Sequence, residues 1–218
     1  MNAFSWDWAY ALSLLPRLAR GLELTVLATL AGSLVAAALG FVWTMVRIWR
    51  LPVLSQAASG AVIFLRGTPL IVQLFFWFYV LPLAGLKLSP LTAGILALGI
   101  YYSSYMSEIY RAGLEAVPPG QWEACLVLSL PLPRVWLGVI LPQIARIVTP
   151  MLATYVIVMF KESALLSTIT VTEMFWQAMD AGYESFRFVE PITMAGILYW
   201  LISYPLAILF RYVERRFA

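Results

Sequence analysis

Residues able to do acid–base or ion-pair chemistry are few in this sequence, and three places carry the candidates for function. The stretch VPPGQWEACLVLSLPLPRVWLGVILPQ, residues 117–143, holds Glu123 and Arg134 among Pro118, Pro119, Pro131, Pro133 and Pro142. Lys161 and Glu162 adjoin at the expected outer end of one apolar run. Tyr101, Tyr102, Ser103, Ser104 and Tyr105 precede Glu108 in another. A helix-borne carboxylate such as Glu123, placed at a subunit interface, makes charge-assisted hydrogen bonds. A lysine and a glutamate offer both signs of charge to a zwitterionic ligand. Adjacent helical residues point about 100° apart, so the two are not automatically a pair. Aromatic faces attract cations, and an ionisable group inside a span is a functional hypothesis by default. Tyr101, Tyr102, Ser104, Glu108, Lys161 and Glu162 are therefore the candidate path residues. Plainer readings stand beside these. Glu123 also reads as a solvated loop residue, the tyrosines as a stripe packing against a neighbouring subunit, which is the favoured reading for them, and Lys161 and Glu162 as the mark of a helix end. Arg66 reads as a helix anchor, and Cys125 as a small packing residue.

Histidine is absent and cysteine occurs once. No internal disulfide, His/Cys metal cluster or His-based catalytic triad can form. A carboxylate-based site survives that exclusion. No Walker-type G-x-x-x-x-G-K-[ST] loop is present, so a nucleotide site must lie on another chain.

The elements that must position these residues are membrane spans. Of 218 residues, 62% are hydrophobic and 11% charged, with mean hydropathy +0.87. A soluble domain carries about 25% charged residues. The chain is expected to be all-α, a single integral-membrane domain with five transmembrane helices over 22–46, 54–81, 91–109, 144–160 and 191–210. At about 1.5 Å per residue the first covers a hydrocarbon core of about 30 Å with some tilt. Gly32, Gly40 and Ala36 to Ala38 offer a face for close helix packing. Pro69 predicts a kink in the second span. Thr170 or Thr172 is expected to cap a short helix reaching Met179. Trp6, Trp8 and Tyr10 suit a headgroup-level amphipathic segment over 1–21. The first basic residue is Arg17 and a long apolar run follows, which is not the pattern of a cleavable signal peptide.

Residues 117–143 are too apolar for disorder and long for a plain connector. Pro118-Pro119-Gly120 breaks the incoming helix. Residues 121–130 suit a short amphipathic helix ended by Pro131 and Pro133, and Pro142 sits where a new helix can begin. With the N-terminus outside, inner segments hold Arg47, Arg50, Arg111, Arg134, Arg146, Arg211, Arg215 and Arg216, against Arg17, Arg20, Lys87 and Arg187 outside. The positive-inside rule then puts 117–143 and the C-terminus in the cytoplasm. The net charge of +3 is topology charge facing anionic lipid, with no nucleic-acid role.

EAC-x3-S-x9-V-x-LP, from Glu123 to Pro142, resembles the EAA loop of ABC-importer permeases, EAA-x3-G-x9-I-x-LP. Cys125, Ser129 and Val139 depart from that pattern, and Ser129 replaces a glycine able to take φ > 0 at little cost. FLRGTPLIVQLFF (64–76), SEIYRAGLEAVPPGQWEAC (107–125), VILPQIARIVTP (139–150) and MFKESALLSTITVTEM (159–174) are similar to the polar amino-acid group of those permeases. FSWDWAY, KLSPLTAGILALGIYYSSYMSEIYRAG and ESFRFVEPITMAGIL resemble the ectoine/hydroxyectoine permease subunits within it.

The resemblance implies a type I permease fold in the bacterial cytoplasmic membrane. It implies a pair of permease subunits, identical or different, with two ATPase subunits docked below. It also implies an extracytoplasmic substrate-binding protein, and ATP and Mg on the ATPase with no cofactor on this chain. It places Gly120, Gln121, Glu123, Ala124, Cys125, Ser129, Leu141 and Pro142 in an ATPase-coupling loop. A secondary transporter or channel for small polar solutes is the alternative. Such folds often carry internal repeats, and no convincing repeat is seen. An intramembrane enzyme is disfavoured by the missing histidine and sparse carboxylates.

Overall fold

The computed structural model describes residues 5–48 and 52–217, with side chains through 212; Arg50 and the side chains of Arg215 and Arg216 lie outside them. Among the described residues every regular element is helical: α1 (Trp8–Ser13), α2 (Leu15–Ile48), α3 (Pro52–Gly67), α4 (Leu70–Phe75), α5 (Pro90–Glu115), α6 (Pro119–Val127), α7 (Leu132–Arg134), α8 (Leu141–Glu162), α9 (Met174–Ser185) and α10 (Val189–Phe217). The all-α membrane architecture expected from composition is what forms.

The parallel pair α2 and α5 is the spine. Gly32, Ala36 and Gly40 recur every four residues on α2 and are all buried. A Cβ at Gly40 would stand 2.9 Å from Ser103 O, so only glycine lets the backbones approach this closely. Polar bonds fix the register. Trp43 Nε1 donates to Ser103 Oγ at 3.1 Å, and Thr44 Oγ1 donates to Ser107 O at 3.0 Å.

The boundaries differ from expectation in ways that bear on function. Leu15 already starts α2, so the lower part of the expected surface segment belongs to the first long helix. Arg17 on that helix pairs with Asp180 and Glu184 of α9. The second apolar run is broken at Gly67-Thr68-Pro69, with 105° between Pro52–Gly67 and Leu70–Ala84, where a kink was expected. Pro69 has no N–H and disfavours helical backbone at Thr68. Gln73 Nε2 spans the break, donating to Leu65 O at 2.9 Å and Thr68 Oγ1 at 2.7 Å.

Pro142 does not begin a helix. Helical backbone starts at Leu132 and runs through a π segment, Val135–Ile140, into α8, twelve residues before the expected fourth span. A second π segment, Phe76–Val80, has the same cause. In each, a leucine N–H reaches back five residues, Leu141 to Trp136 O and Leu81 to Phe76 O. The residue after each leucine is a proline, which cannot supply the next α-type bond.

Two further corrections concern the segment after α8. Neither Thr170 nor Thr172 caps α9; Glu173 does, accepting from Trp176 N–H at 2.7 Å and Phe175 N–H at 2.9 Å. Thr170 instead takes the left-handed conformation, φ 66°, that closes the 3₁₀ turn Ser163–Ile169. By length and apolarity, Leu15–Ile48, Leu132–Ile169 and Val189–Tyr212 can cross a membrane, and the bent pair makes a fourth. α5, with 26 residues, has the length of a fifth, but its polar run from Tyr101 to Glu108 lowers its apolarity.

Candidate functional site

The short helix α6 shows why its residue types alternate as they do. Pro118 supplies extended backbone at φ −56°, ψ 137°, and Pro119 is the first helical residue, where its missing N–H costs nothing. Cys125 and Val117 are buried with Val135, Ile140, Ile144 and Val148, so Cys125 is a packing residue. Trp122 meets Trp136 edge-on at 5.6 Å. Gln143 Nε2 reaches Gln121 Oε1 at 3.3 Å, tying the helix to α8.

The opposite face of α6 is bare. Gly120, Gln121, Glu123 and Ala124 are exposed, as are Leu126 at 78% and Val127 at 84%. Ser129 stands at φ 47°, in the left-handed region. Leu130 N–H bonds Cys125 O at 3.1 Å and Ser129 N–H bonds Leu126 O at 2.9 Å. These two bonds make a Schellman turn. The serine thus adopts the backbone for which a glycine is suited. Leu141 is half-buried and Pro142 exposed, one helical turn above Trp136.

The second set of candidate residues meets inside the bundle. Tyr102, midway along α5, donates to Glu162 Oε2 at 2.5 Å. Glu162 therefore ends α8 in the middle of the bundle, a correction to its expected place at an outer span end. The chain continues through the 3₁₀ turn and α9 toward the N-terminal end of α2. Tyr101 and Tyr105 share a 3.0 Å hydroxyl contact. Tyr155 of α8 lies 5.9 Å from the Tyr102 ring and 5.5 Å from that of Tyr105. Arg66 lies over the Tyr105 ring at 5.3 Å.

Not every predicted residue joins this cluster. Ser104 Oγ donates to Tyr101 O and Ser103 Oγ to Ile100 O, both at 2.6 Å, so neither hydroxyl lines an open path. Lys161 diverges from Glu162 into a groove with Thr154, Ala207, Phe210 and Arg211. Glu108 sits at the far end of the tyrosine run, held by Arg47 at 2.7 Å and Arg111 at 2.8 Å, with Arg66 at 4.0 Å.

Sequence reasoning missed Glu173 and Tyr155. Glu173 is fully buried and also receives Tyr199 OH at 2.8 Å and Thr25 Oγ1 at 3.2 Å. Glutamate is not among the preferred capping residues, so the nearby threonines drew the assignment. Tyr155 gave no local signal, because only the crossing of α5 and α8 brings it to Tyr102.

Residues 28–218 match the family described as binding-protein-dependent transport system inner membrane component. The chain belongs to that family. It is a multi-pass permease of the inner membrane. The permease is 40% identical over 219 residues to a probable amino-acid ABC transporter permease protein, y4tG, of Sinorhizobium fredii, covering 98% of this chain and 95% of the relative. It is 32% identical to the L-cystine transport system permease protein TcyB of Bacillus subtilis, covering 99% and 92%. A solved amino acid ABC transporter with histidines shares 30% identity at TM-score 0.91, covering 98% of this chain and 100% of that one. An inward-facing MetNI methionine ABC transporter shares 16% identity at TM-score 0.79, covering 94% and 98%, which shows the fold alone. The fold of this permease is thus the type I ABC permease fold, and its matched relatives are transport subunits.

Proposed function

We propose that this permease forms the membrane path of an ATP-driven importer for a small zwitterionic solute. The observation that carries the coupling half is the two-faced α6. Trp122 and Cys125 anchor it, while Glu123, Leu126 and Val127 remain bare. An apolar surface of this kind outside the bilayer calls for a protein partner; the relatives are named ABC transporter permeases, and the ATPase subunit of such a transporter is the partner proposed here. In the complete assembly, two ATPases with ATP and Mg meet two permease subunits, and a binding protein delivers solute from outside. The permease is oriented with its N-terminus outside and its C-terminus in the cytoplasm.

Tyr101, Tyr102, Tyr105 and Glu162 line the path at mid-bundle. Glu162 presents a carboxylate and the rings present π faces to a ligand cation. The relatives' names support a polar amino acid as cargo, with amino-acid, cystine and glutamate/aspartate permeases among them. Within that class we propose ectoine or hydroxyectoine, on the likeness of residues 87–113 and 184–198 to those permeases. The test is uptake of labelled ectoine by cells carrying the whole system, challenged with unlabelled hydroxyectoine, glutamine, histidine or arginine. Inhibition by hydroxyectoine is the expected result. No ectoine uptake, or competition by the amino acids alone, assigns the cargo to the amino acids.

A further inference from the structure

We propose that the ends of α2, α3 and α5 hold the phosphate of an anionic phospholipid of the inner leaflet. The side of the membrane rests on the orientation proposed above; the site itself rests on a cavity. It measures about 330 Å³ and is lined by Thr44, Arg47, Ser55, Ser59, Arg111 and Glu115. Two other cavities of the bundle, beside Tyr110 and beside Trp77, are walled mainly by apolar side chains.

The two guanidiniums at this cavity are held in place by one carboxylate. Arg47 Nη1 donates to Glu108 Oε1 at 2.7 Å and Ser107 Oγ at 3.3 Å. Arg111 donates through Nε and Nη2 to Glu108 Oε2, at 3.0 and 2.8 Å, and through Nη1 to Glu115 Oε1 at 2.6 Å. Among the described residues, Arg47 Nε and Nη2 have no acceptor. Arginine donors set in a fixed fork match phosphate geometry.

Charge and position select the ligand. Arg47, Arg66 and Arg111 against Glu108 and Glu115 leave the cluster one positive charge in excess. One phosphodiester anion balances it, whereas a headgroup carrying its own cation gains nothing. Ser59 adds a hydroxyl on the α3 wall. Pro52 is the first helical residue of α3, whose early N–H groups lack acceptors within the helix. Ile48, 39% exposed, lines the same cavity and gives an acyl chain its first apolar contact. A basic recess between helix ends at the cytoplasmic boundary is the setting in which anionic headgroups bind.

The test is native mass spectrometry of the complete transporter released from bilayers of equal phosphatidylglycerol and phosphatidylcholine. One uncompensated arginine near the surface predicts about five-fold preferential retention of phosphatidylglycerol. Ser59→Leu fills the cavity without touching an ion pair and is expected to abolish the preference; Ser59→Val serves if the leucine variant does not assemble. Equal retention of the two lipids, or an unchanged preference in the filled variants, overturns the proposal. Displacement of the lipid by millimolar inorganic phosphate also overturns it and leaves a free-phosphate site. Labelling of Ser59→Cys from outside the cell would sink the orientation while leaving the lipid preference standing, so the two failures are distinct.

Discussion

Tyr102 and Glu162 lie sixty residues apart in the chain, yet the tyrosine hydroxyl sits 2.5 Å from the Glu162 carboxylate at the centre of the bundle. That bond joins α5 to the point where α8 stops. Tyr102→Phe removes the donor and keeps the ring. A hydrogen bond to a charged group contributes about 1.5–3 kcal/mol. Solute uptake is expected to fall at least ten-fold, with the complex still assembled and melting only a few degrees lower. Wild-type uptake by a fully assembled Tyr102→Phe transporter would remove Glu162 from the path.

Glu123 is exposed on α6 and has no intramolecular hydrogen bond among the described residues. Glu123→Ala is therefore expected to leave the permease fold and its melting temperature unchanged. Stimulation of ATP hydrolysis by loaded binding protein in liposomes is expected to fall, by the same range of about 1.5–3 kcal/mol per charged bond lost. Full stimulation in that variant would place the ATPase contact elsewhere.

Ser129 occupies a left-handed backbone at φ 47°. That conformation costs a residue with a Cβ about 1–2 kcal/mol, partly offset by the greater freedom of glycine when unfolded. Ser129→Gly should raise stability by about 0.5–1 kcal/mol, and Ser129→Val should lower it by more. Thermal melting of the purified complex checks both signs. Destabilisation by glycine would mean that the Schellman turn is not what holds α6.

On the face proposed to lie outside, the Tyr10 N–H and then Arg187 hold the Asp7 carboxyl below its usual range, and Arg17 does the same for Glu184. Both depressed values stabilise the folded state above the ordinary carboxylate pKa of about 4. That contribution disappears as pH falls through the lowered values. A spin label at Ala9→Cys, in a Cys125→Ser background, should show constant mobility from about pH 8 to 5 and loosening only below about 4. Loosening between neutrality and pH 6 would show that other groups hold α1.

Reporter fusions after Arg50, Lys87, Arg134, Arg187 and Ala218 should read in, out, in, out, in. The warrant is the arginine asymmetry of the sequence. An outside reading at Arg134 would separate α6 from any cytoplasmic ATPase.

Where composition and local chemistry decide, the sequence was a good guide. The all-α membrane architecture follows from apolar runs, the close α2–α5 approach from Gly32 and Gly40, and the importance of position 129 from the glycine that the motif pattern expects there. It was a poor guide where depth is set by tertiary contact. An apolar run looks the same whether it crosses the bundle or stops halfway, so Lys161 and Glu162 were read at a surface. Only the Tyr102–Glu162 bond, with the 3₁₀ turn Ser163–Ile169 and α9 beyond it, reveals that α8 ends at mid-bundle. Glu173 was overlooked because two threonines near it are better caps by local preference. The hydroxyls of Ser103 and Ser104 looked available, because a sequence does not say which carbonyls a side chain meets.

The two Leu-Pro pairs set a phase. Each π segment holds one residue that a plain α-helix of the same length would not, equivalent to about 100° of azimuth and about 1.5 Å of advance. Val135–Ile140 lies between α8 and the loop that carries α6, so the bare side of α6 is aimed by that extra residue. Deleting one residue there would restore an ordinary helical repeat and still misdirect Leu126 and Val127 by nearly a third of a turn. The length of this stretch is therefore as constrained as its residue types, and Pro142 is what keeps the count.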